Sequence, residues 1–212
     1  MAGGTVRAER AQATRDAILA AAERLFAEHG VITVSSRQIS EAAGQGNNTA
    51  VGYHFGAKAD LVRAIVRKHT DQMERLRERM VADAGDSTDL RVWVACLVHP
   101  VTEHLAELGS PTWFARCAAQ VMADPELRPV LVEEALSTPA LRAVLHGLNR
   151  CVPDLPAPIR AERDDMARHL IVQMTAERER ALAENRPTPR SSWRDAATGL
   201  IDAIVAILEM RP

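Results

Sequence analysis

The chain has 212 residues, of which 47% are hydrophobic and only 3% aromatic, and its formal net charge is −2. Alanine and leucine, the best helix formers, dominate the apolar residues, and no segment shows the alternating pattern of a half-buried strand. No apolar stretch approaches the roughly 20 residues of a membrane span, and the segment MAGGTVRAERAQATR lacks the apolar core of a secretory signal. We therefore expect an all-α protein of the cytoplasm.

Charge and cysteine placement give two further expectations. Residues 1–70 carry a formal charge of +3 and the remainder −5, which favours an anion-binding head on a body with another task. Cys96, Cys117 and Cys151 are an odd and widely spaced set. We expect them to be reduced thiols, and we expect neither a disulfide framework nor a metal site.

The first predicted helix covers residues 14–29. Thr14 is a plausible N-cap, and Gly30 stands where a glycine commonly ends a helix. Apolar residues recur on one face of the segment, as they do in an amphipathic helix. Residues 1–10 are expected to form a mobile arm.

Two short predicted helices follow, separated by a break. Ser35 and Gln38 have the spacing of a capping box, and Gly44 ends the helix that they open. The run QGNN at 45–48 is turn chemistry, because Gly and Asn tolerate positive φ. The third helix, residues 49–55, spans about two turns and needs neighbours to hold it. This geometry predicts a helix–turn–helix whose second helix presents its polar side to the DNA major groove.

The rest of the chain is predicted to be helical. A long helix over residues 58–81 would link the head to the body. The domain boundaries that we expect are 11–57 for the head and 58–212 for the body. The remaining predicted helices are 89–98 with a continuation to 108 beyond Pro100, then 112–123, 124–136, 138–151, 159–184 and 192–210.

Residues 14–66 resemble the DNA-binding domain of tetracycline-repressor-like (TetR-family) transcriptional regulators. The match is specific because several spaced positions agree at once. The resemblance implies an all-α fold with an N-terminal helix–turn–helix domain and a larger helical domain for effector binding and dimerisation. The matching residues are Leu25-Phe26-x-x-x-Gly30, then Arg37-x-Ile39-x-x-Ala42-Ala43-Gly44, then Tyr53-His54-Phe55-x-x-Lys58-x-x-Leu61.

The resemblance also implies which residues contact DNA. An arginine fork matches guanine O6 and N7, asparagine can pair with adenine, and Tyr, His and Lys donate to phosphate oxygens. The implied contacts are Arg37 at a base edge or nearby phosphate, Asn47, Asn48 and Thr49 at base edges, and Tyr53, His54 and Lys58 at backbone phosphates. The alternatives remain open at this stage: the two asparagines as plain turn residues, Arg37 as a solvated charge and His54 as a packed ring.

Three departures from the family pattern bear on these roles. The turn is one residue longer, so the first base contact could fall to Asn47 or Asn48. Gly52 replaces a common tyrosine, which removes one implied phosphate contact. Ala57 replaces the serine that usually caps the fourth helix, at a cost on the order of 1 kcal/mol.

The body carries two further sets of candidates. Bulky or soft side chains could line a mostly apolar effector pocket between helices, although plain core filling is the alternative for each. The last two helices carry apolar residues that could form a dimer interface, with burial inside one chain as the alternative. The candidate effector residues are Trp93, His99, Trp113, Phe114, Cys117, Met166, His169 and Met174. The candidate dimer residues are Met166, Leu170, Leu200, Ile201, Ile204, Val205 and Leu208.

The sequence predicts no enzyme and no cofactor. Glu133-Glu134 and Asp164-Asp165 are adjacent pairs that diverge by about 100° on a helix, so their carboxylates do not converge. The function expected is a homodimeric regulator of transcription that binds a palindromic operator in double-stranded DNA. Repression released by a small molecule is the first hypothesis. The alternative is a helical small-molecule-binding protein that keeps the helix–turn–helix only as a scaffold.

Overall fold

The computed structural model describes residues 2–47, 49–152 and 154–210, and these residues form ten α-helices without a strand. The all-α fold predicted from composition is confirmed. The helices are α1 (Ala2–His29), α2 (Ser36–Ala42), α3 (Ala50–Phe55), α4 (Lys58–Ala84), α5 (Leu90–Leu108), α6 (Phe114–Ala123), α7 (Arg128–Leu136), α8 (Pro139–Cys151), α9 (Ala157–Ala183) and α10 (Trp193–Glu209). None of the helices in the described part of the chain is long and apolar enough to cross a membrane.

The N-terminal segment differs from its prediction. It continues α1 back to Ala2, whereas the sequence predicted a mobile arm over residues 1–10. Residues 6–13 are exposed along this extension, so no tertiary packing holds it. Good helix formers such as Ala, Arg, Glu and Gln account for the helical conformation locally.

The head core lies between α1, α2, α3 and the first half of α4. Ile18, Phe26, Ile39 and Leu61 are all at most 1% exposed in it. This core does not end at the predicted domain boundary, because buried residues of α6 and α7, among them Val121, belong to the same cluster. The head therefore packs directly on the body.

The body core lies between α5, α8, α9 and α10. Trp93 of α5 packs flat on α8, where Gly147 leaves room for the indole ring. A Cβ atom at Gly147 would lie 2.3 Å from Cδ2 of Trp93, so the two helices approach closely only because this residue is glycine. The ring nitrogen of Trp93 donates to the carbonyl of Ser87 at 2.9 Å.

Pro100 lies inside α5, where the sequence predicted a disturbance. Proline has no N–H, so the carbonyl of Cys96 one turn earlier loses its helical donor. Arg77 of α4 supplies a replacement, since its buried Nε donates to this carbonyl at 3.3 Å. The helix therefore continues through Pro100 to Leu108.

Buried carboxylates cap two body helices. Glu179 of α9 is 1% exposed and accepts hydrogen bonds from the backbone N–H groups of Ala115 and Arg116 at 3.0 and 2.9 Å. Glu74 of α4 does the same for Ala140, the second residue of α8, at 2.6 Å. The N-terminal N–H groups of a helix have no partner within it. The cap that Glu179 provides is consistent with the start of α6 at Phe114, two residues later than predicted.

Candidate nucleic-acid interface

The helix α2 is fixed by the capping box predicted from the sequence. The Ser35 hydroxyl accepts from the Gln38 N–H at 3.3 Å, and the Gln38 side chain accepts from the Ser35 N–H at 2.8 Å. Ile39 is fully buried beneath it, while Arg37 lies on the opposite side with its side chain 72% exposed. Arg37 pairs with Glu41 at 2.8 Å. An exposed pair of this kind contributes little to stability because water and salt screen it, so Arg37 can exchange it for DNA at little cost.

The turn before α3 is held by an asparagine side chain. Oδ1 of Asn47 accepts from both the N–H and the hydroxyl of Thr49, at 2.9 and 2.7 Å. An amide oxygen has two lone pairs, and both are engaged here. Asn47 therefore cannot pair with adenine through this oxygen without breaking the turn, and its exposed NH₂ group is the part that remains for DNA. Asn48, the other candidate, lies outside the described residues.

The helix α3 has one buried and one exposed side. Val51 and Phe55 are 2% and 8% exposed and anchor it in the head core. Tyr53 is 84% exposed, and Thr49 and Gly52 are exposed with it. The outward side of α3 therefore presents the Thr49 hydroxyl, the backbone at Gly52 and the Tyr53 phenol, while its inward side is held in the head core.

Arg15 of α1 braces α3, and sequence reasoning missed it. Its Nη1 donates to the carbonyl of His54 at 2.8 Å, and its guanidinium carbon lies 4.1 Å from the centre of the Phe55 ring. The last carbonyls of a helix lack internal donors and carry partial negative charge, so a cation there stabilises the helix end. No local signal marks this role, because the contact joins residues 39 positions apart.

His54 lies beside Tyr53 and is partly buried. The two rings meet edge to face, with centres 5.1 Å apart. This contact orients the Tyr53 ring outward, and the phosphate contact implied for His54 stays a prediction.

Lys58 makes two hydrogen bonds inside the head, and the phosphate contact implied for it stays a prediction. Its Nζ donates to the carbonyls of Val31 and Val34 at 2.8 and 2.9 Å, which fastens the start of α4 to the loop between α1 and α2. Both valines are 2% exposed, whereas Ile32 between them is 78% exposed, so the two hydrogen bonds lie in a partly buried loop. Two of the three ammonium donors are used inside the protein, and the structure therefore favours a structural role for this lysine.

A buried polar chain connects the head to the body. Nε2 of His69 on α4 lies 2.9 Å from the carboxylate of Glu23 on α1, and its Nδ1 lies 2.8 Å from Nε2 of His104 on α5. With the Glu23 carboxylate as acceptor, His69 donates from Nε2 and accepts at Nδ1 from Nε2 of His104. The ring of Phe114, on α6, stacks on His69 with centres 3.9 Å apart. Burial, and then the neighbouring His69, lower the pKa of His104 to about 4, so this ring is neutral at pH 7.

The candidate effector residues do not form one pocket. Phe114 and Cys117 are buried near the head, Trp93 fills the body core, and Trp113 borders the head core. His99 lies near Glu103 of its own helix at 3.7 Å. Met166, His169 and Met174 are exposed along α9. The residue types of a pocket were thus present, but the fold distributes them over three regions.

The candidate dimer residues also divide into two groups. Leu200, Ile201, Ile204 and Leu208 are at most 7% exposed because they pack in the body core of one chain. The structure thus favours burial within one chain, and the contact with a second chain expected for these four residues stays a prediction. Met166 is 41% exposed, while Leu170 and Val205 are half-buried, so these remain available to a partner. Within the described residues, no group of three His, Cys, Asp or Glu side chains could hold a metal ion.

Comparisons with known proteins agree with this architecture. Residues 18–65 match the family model described as bacterial regulatory proteins, tetR family. No curated protein sequence matches the chain significantly. The structure is similar to that of NalD, the secondary repressor of the MexAB-OprM multidrug efflux pump in Pseudomonas aeruginosa, with 24% identity, 95% and 100% of the two chains covered and a TM-score of 0.57.

Two further solved structures share the fold. One is SmeT, the repressor of the Stenotrophomonas maltophilia multidrug efflux pump SmeDEF, with 24% identity, 92% and 90% coverage and a TM-score of 0.56. The other is PfmR, a regulator from Thermus thermophilus, with 18% identity, 92% and 99% coverage and a TM-score of 0.52. At these identities the likeness establishes the fold along nearly the whole chain.

Proposed function

We propose that this chain, which belongs to the TetR family of DNA-binding transcriptional regulators, is a homodimeric repressor that a small-molecule effector releases from a palindromic operator. The observation that supports it best is the two-sided α3. Its apolar side is locked in the head core, while Tyr53 extends into solvent at 84% exposure. A large aromatic side chain exposed to this degree on a helix–turn–helix is available to contact DNA.

On DNA, the outward side of α3 enters the major groove. Thr49 approaches base edges, and Tyr53 donates its hydroxyl to a phosphate, which fixes the register. Arg37 leaves Glu41 for a phosphate or a guanine. Arg15 keeps the C-terminal end of α3 in place, so it acts as a positioning residue.

The dimer is proposed to form through the outward side of α9 and α10. Met166 and Met174 of α9 and Met210, just beyond α10, are between 41% and 53% exposed. Exposed small residues of α10, such as Ala203, would allow close approach of a second copy. Two heads about 34 Å apart then read two half-sites of one operator, which a single head reads too weakly.

We propose that effector binding in the body releases operator DNA by changing the contacts between the body and the head. An effector that moves α5 or α6 acts on α1 and α4 directly through the polar chain of Glu23, His69 and His104. A second link joins Arg67 of α4 to Glu134 of α7 through two hydrogen bonds of 2.9 and 2.6 Å. Rotation of α4 changes the separation of the two heads and lowers the affinity for the operator.

Fluorescence anisotropy with the promoter-proximal DNA of its own operon tests this function. The wild-type protein should bind as a dimer, and affinity should fall as salt rises because phosphate contacts release counterions. Tyr53→Ala should weaken binding at least about tenfold, which corresponds to about 1.4 kcal/mol. Arg142→Ala, an exposed change in the body, is the matched control and should bind normally. Absence of DNA binding at low salt in a folded protein that still binds ligands would favour the scaffold alternative.

A further inference from the structure

A groove of about 180 Å³ lies between α4 and α5, and it shares no lining residue with the sides of α9 and α10 proposed for the dimer. This volume is below the range of about 300–1,000 Å³ that sites for larger ligands occupy. At about 30 Å³ for each water molecule, it holds about six waters, or a ligand with a similar number of heavy atoms. The groove therefore suits only a small ligand.

The floor of the groove carries a ring nitrogen without a partner. His104 lines the groove and is 6% exposed, and its Nε2 lies 2.8 Å from Nδ1 of His69. The other nitrogen of His104, Nδ1, has no hydrogen-bond partner within the described residues, and it is not closed to solvent. This nitrogen is therefore the buried polar atom that a ligand in the groove can reach.

Nδ1 of His104 is a hydrogen-bond acceptor. Because the Glu23 carboxylate accepts from His69, and His69 accepts from Nε2 of His104, the proton of the His104 ring lies on Nε2. The remaining nitrogen of a neutral imidazole carries a lone pair. Burial, and then His69, lower the pKa of His104 to about 4, which keeps the ring neutral at pH 7. A ligand must therefore present a donor to this nitrogen.

The α5 wall places negative charge beside this acceptor. Glu103 and Glu107 are exposed and line the groove. They lie one turn apart on the helix, and Glu107 lies three residues after His104, so the three side chains share one side of α5. An ammonium group at this place donates to His104 and is attracted by both carboxylates.

The α4 wall carries the opposite charge. Arg75 and Arg79 are exposed, line the groove and lie one turn apart. Arg75 donates to Gln72 of its own helix, whereas Arg79 has no partner among the described residues. In the described part of the chain, no ion pair joins the two walls across the groove. The α4 wall is therefore available to a carboxylate.

We infer that this groove binds a small α-amino acid as a zwitterion. The two arginines and two glutamates of the walls have formal charges that cancel, which favours a ligand whose own charges cancel. The ammonium group donates to Nδ1 of His104 and faces the glutamates, while the carboxylate accepts from Arg79. Alanine, with about six heavy atoms, matches the volume. Its role as the effector rests on the proposed function, whereas the binding itself does not.

The bound ammonium group connects the groove to the head. Donation to Nδ1 polarises the Nε2–H of His104, and hydrogen bonds in a chain strengthen one another. This chain continues through His69 of α4 and ends at Glu23 of α1. Amino-acid binding between α4 and α5 therefore acts on two helices of the head.

The test titrates L-alanine, L-alaninamide and propionate into the full-length protein by isothermal titration calorimetry. L-Alaninamide keeps the ammonium group and lacks the carboxylate, whereas propionate keeps the carboxylate and lacks the ammonium group. We expect L-alanine to bind at least about tenfold more tightly than either analogue, because only L-alanine makes charge-assisted contacts with both walls.

Exposed variants separate the two walls. Arg79→Gln should lower the affinity for L-alanine towards that for L-alaninamide, whose own affinity should not change. Glu107→Gln should weaken the binding of both, since both carry the ammonium group. As matched controls, Arg142→Gln and Glu78→Gln remove the same charges from exposed residues outside the groove and should bind L-alanine as the wild type does.

Nitrogen-15 NMR of the histidine rings gives a readout on the wild-type protein. Acceptance of a hydrogen bond from the ammonium group should move the Nδ1 resonance of His104 upfield during titration with L-alanine. Propionate should leave this resonance in place. His29, exposed at the end of α1 and outside the groove, is the internal control and should not respond to either ligand.

Three results would overturn the inference: absence of L-alanine binding, equal affinity for the three probes, or an Nδ1 resonance of His104 that does not move. A preference for L-alanine that survives both Arg79→Gln and Glu107→Gln would overturn it as well. Release of operator DNA is measured separately. Binding of L-alanine without release of DNA would contradict only the role as effector site, while absence of DNA binding would contradict the proposed function alone.

Discussion

Lys58→Met separates the structural role of this lysine from a role in phosphate binding. The substitution keeps the length of the side chain but removes the ammonium that donates to the carbonyls of Val31 and Val34 at 2.8 and 2.9 Å. Hydrogen bonds that involve a charged group contribute about 1.5–3 kcal/mol each, and the two carbonyls would be left with incomplete partners in a partly buried loop. Allowing for partial access of water, we expect a loss of about 2–4 kcal/mol in the free energy of unfolding.

Two measurements check this expectation. For a chain of this size, about 2–4 °C are lost per kcal/mol, so thermal unfolding should show a decrease in Tm of about 5–15 °C. The salt dependence of DNA binding, measured well below this Tm, should keep the wild-type slope. Lys68→Met removes a charge from the same helix, where the ammonium lies 3.7 Å from Glu23 and touches no carbonyl, so its Tm should change much less.

A particular result would refute the reasoning. If Lys58 contacts phosphate, removing it lowers the slope of log K against log salt by about 0.9 per contact, or about 1.8 for a dimer. A reduced slope together with an unchanged Tm would show that the carbonyl contacts are dispensable and that the family resemblance assigns the lysine correctly.

The remaining predictions concern stability. Ala57→Ser should raise the free energy of unfolding, measured with urea, by about 1 kcal/mol. Residue 57 has the extended backbone of an N-cap, and Asp60 already accepts from its N–H. An unchanged free energy of unfolding would contradict this expectation. Gly147→Ala should cost about 1–3 kcal/mol or more, since its Cβ would lie 2.3 Å from Trp93, whereas Gly52→Ala, with open space around it, should cost nothing. His104, with its pKa lowered to about 4 by burial and by His69, is protonated more readily in the unfolded chain, so stability should fall as pH decreases from about 6.5 towards 4. The loss from this group reaches about 3 kcal/mol, and His104→Asn should flatten that part of the pH profile.

Local signals accounted for much of the head. The capping box of Ser35 and Gln38 could be predicted because both partners lie within one turn of helix. The outward position of Tyr53 follows from the burial of Val51 and Phe55, because these two residues fix the orientation of the short helix α3. The contacts of Arg15 and Lys58 could not be predicted, because each joins residues 24 to 39 positions apart.

Apolar periodicity was less informative in the body. The pattern of α10 identified the buried face correctly, but it could not tell whether α5 of the same chain or a second chain covers that face. Residue type was a weaker guide still to the effector pocket. The eight candidate effector residues lie in three regions of the fold, since residue type does not show which helices face one another.

Methylation interference on operator DNA tests most directly whether the outward side of α3 lies in the major groove. The account predicts interference from methylated guanine N7, a major-groove position, in two half-sites about 34 Å apart. Thr49→Ala should abolish it at one base pair of each half-site. Interference confined to adenine N3 in the minor groove, or a pattern unchanged by both Thr49→Ala and Tyr53→Ala, would contradict the account.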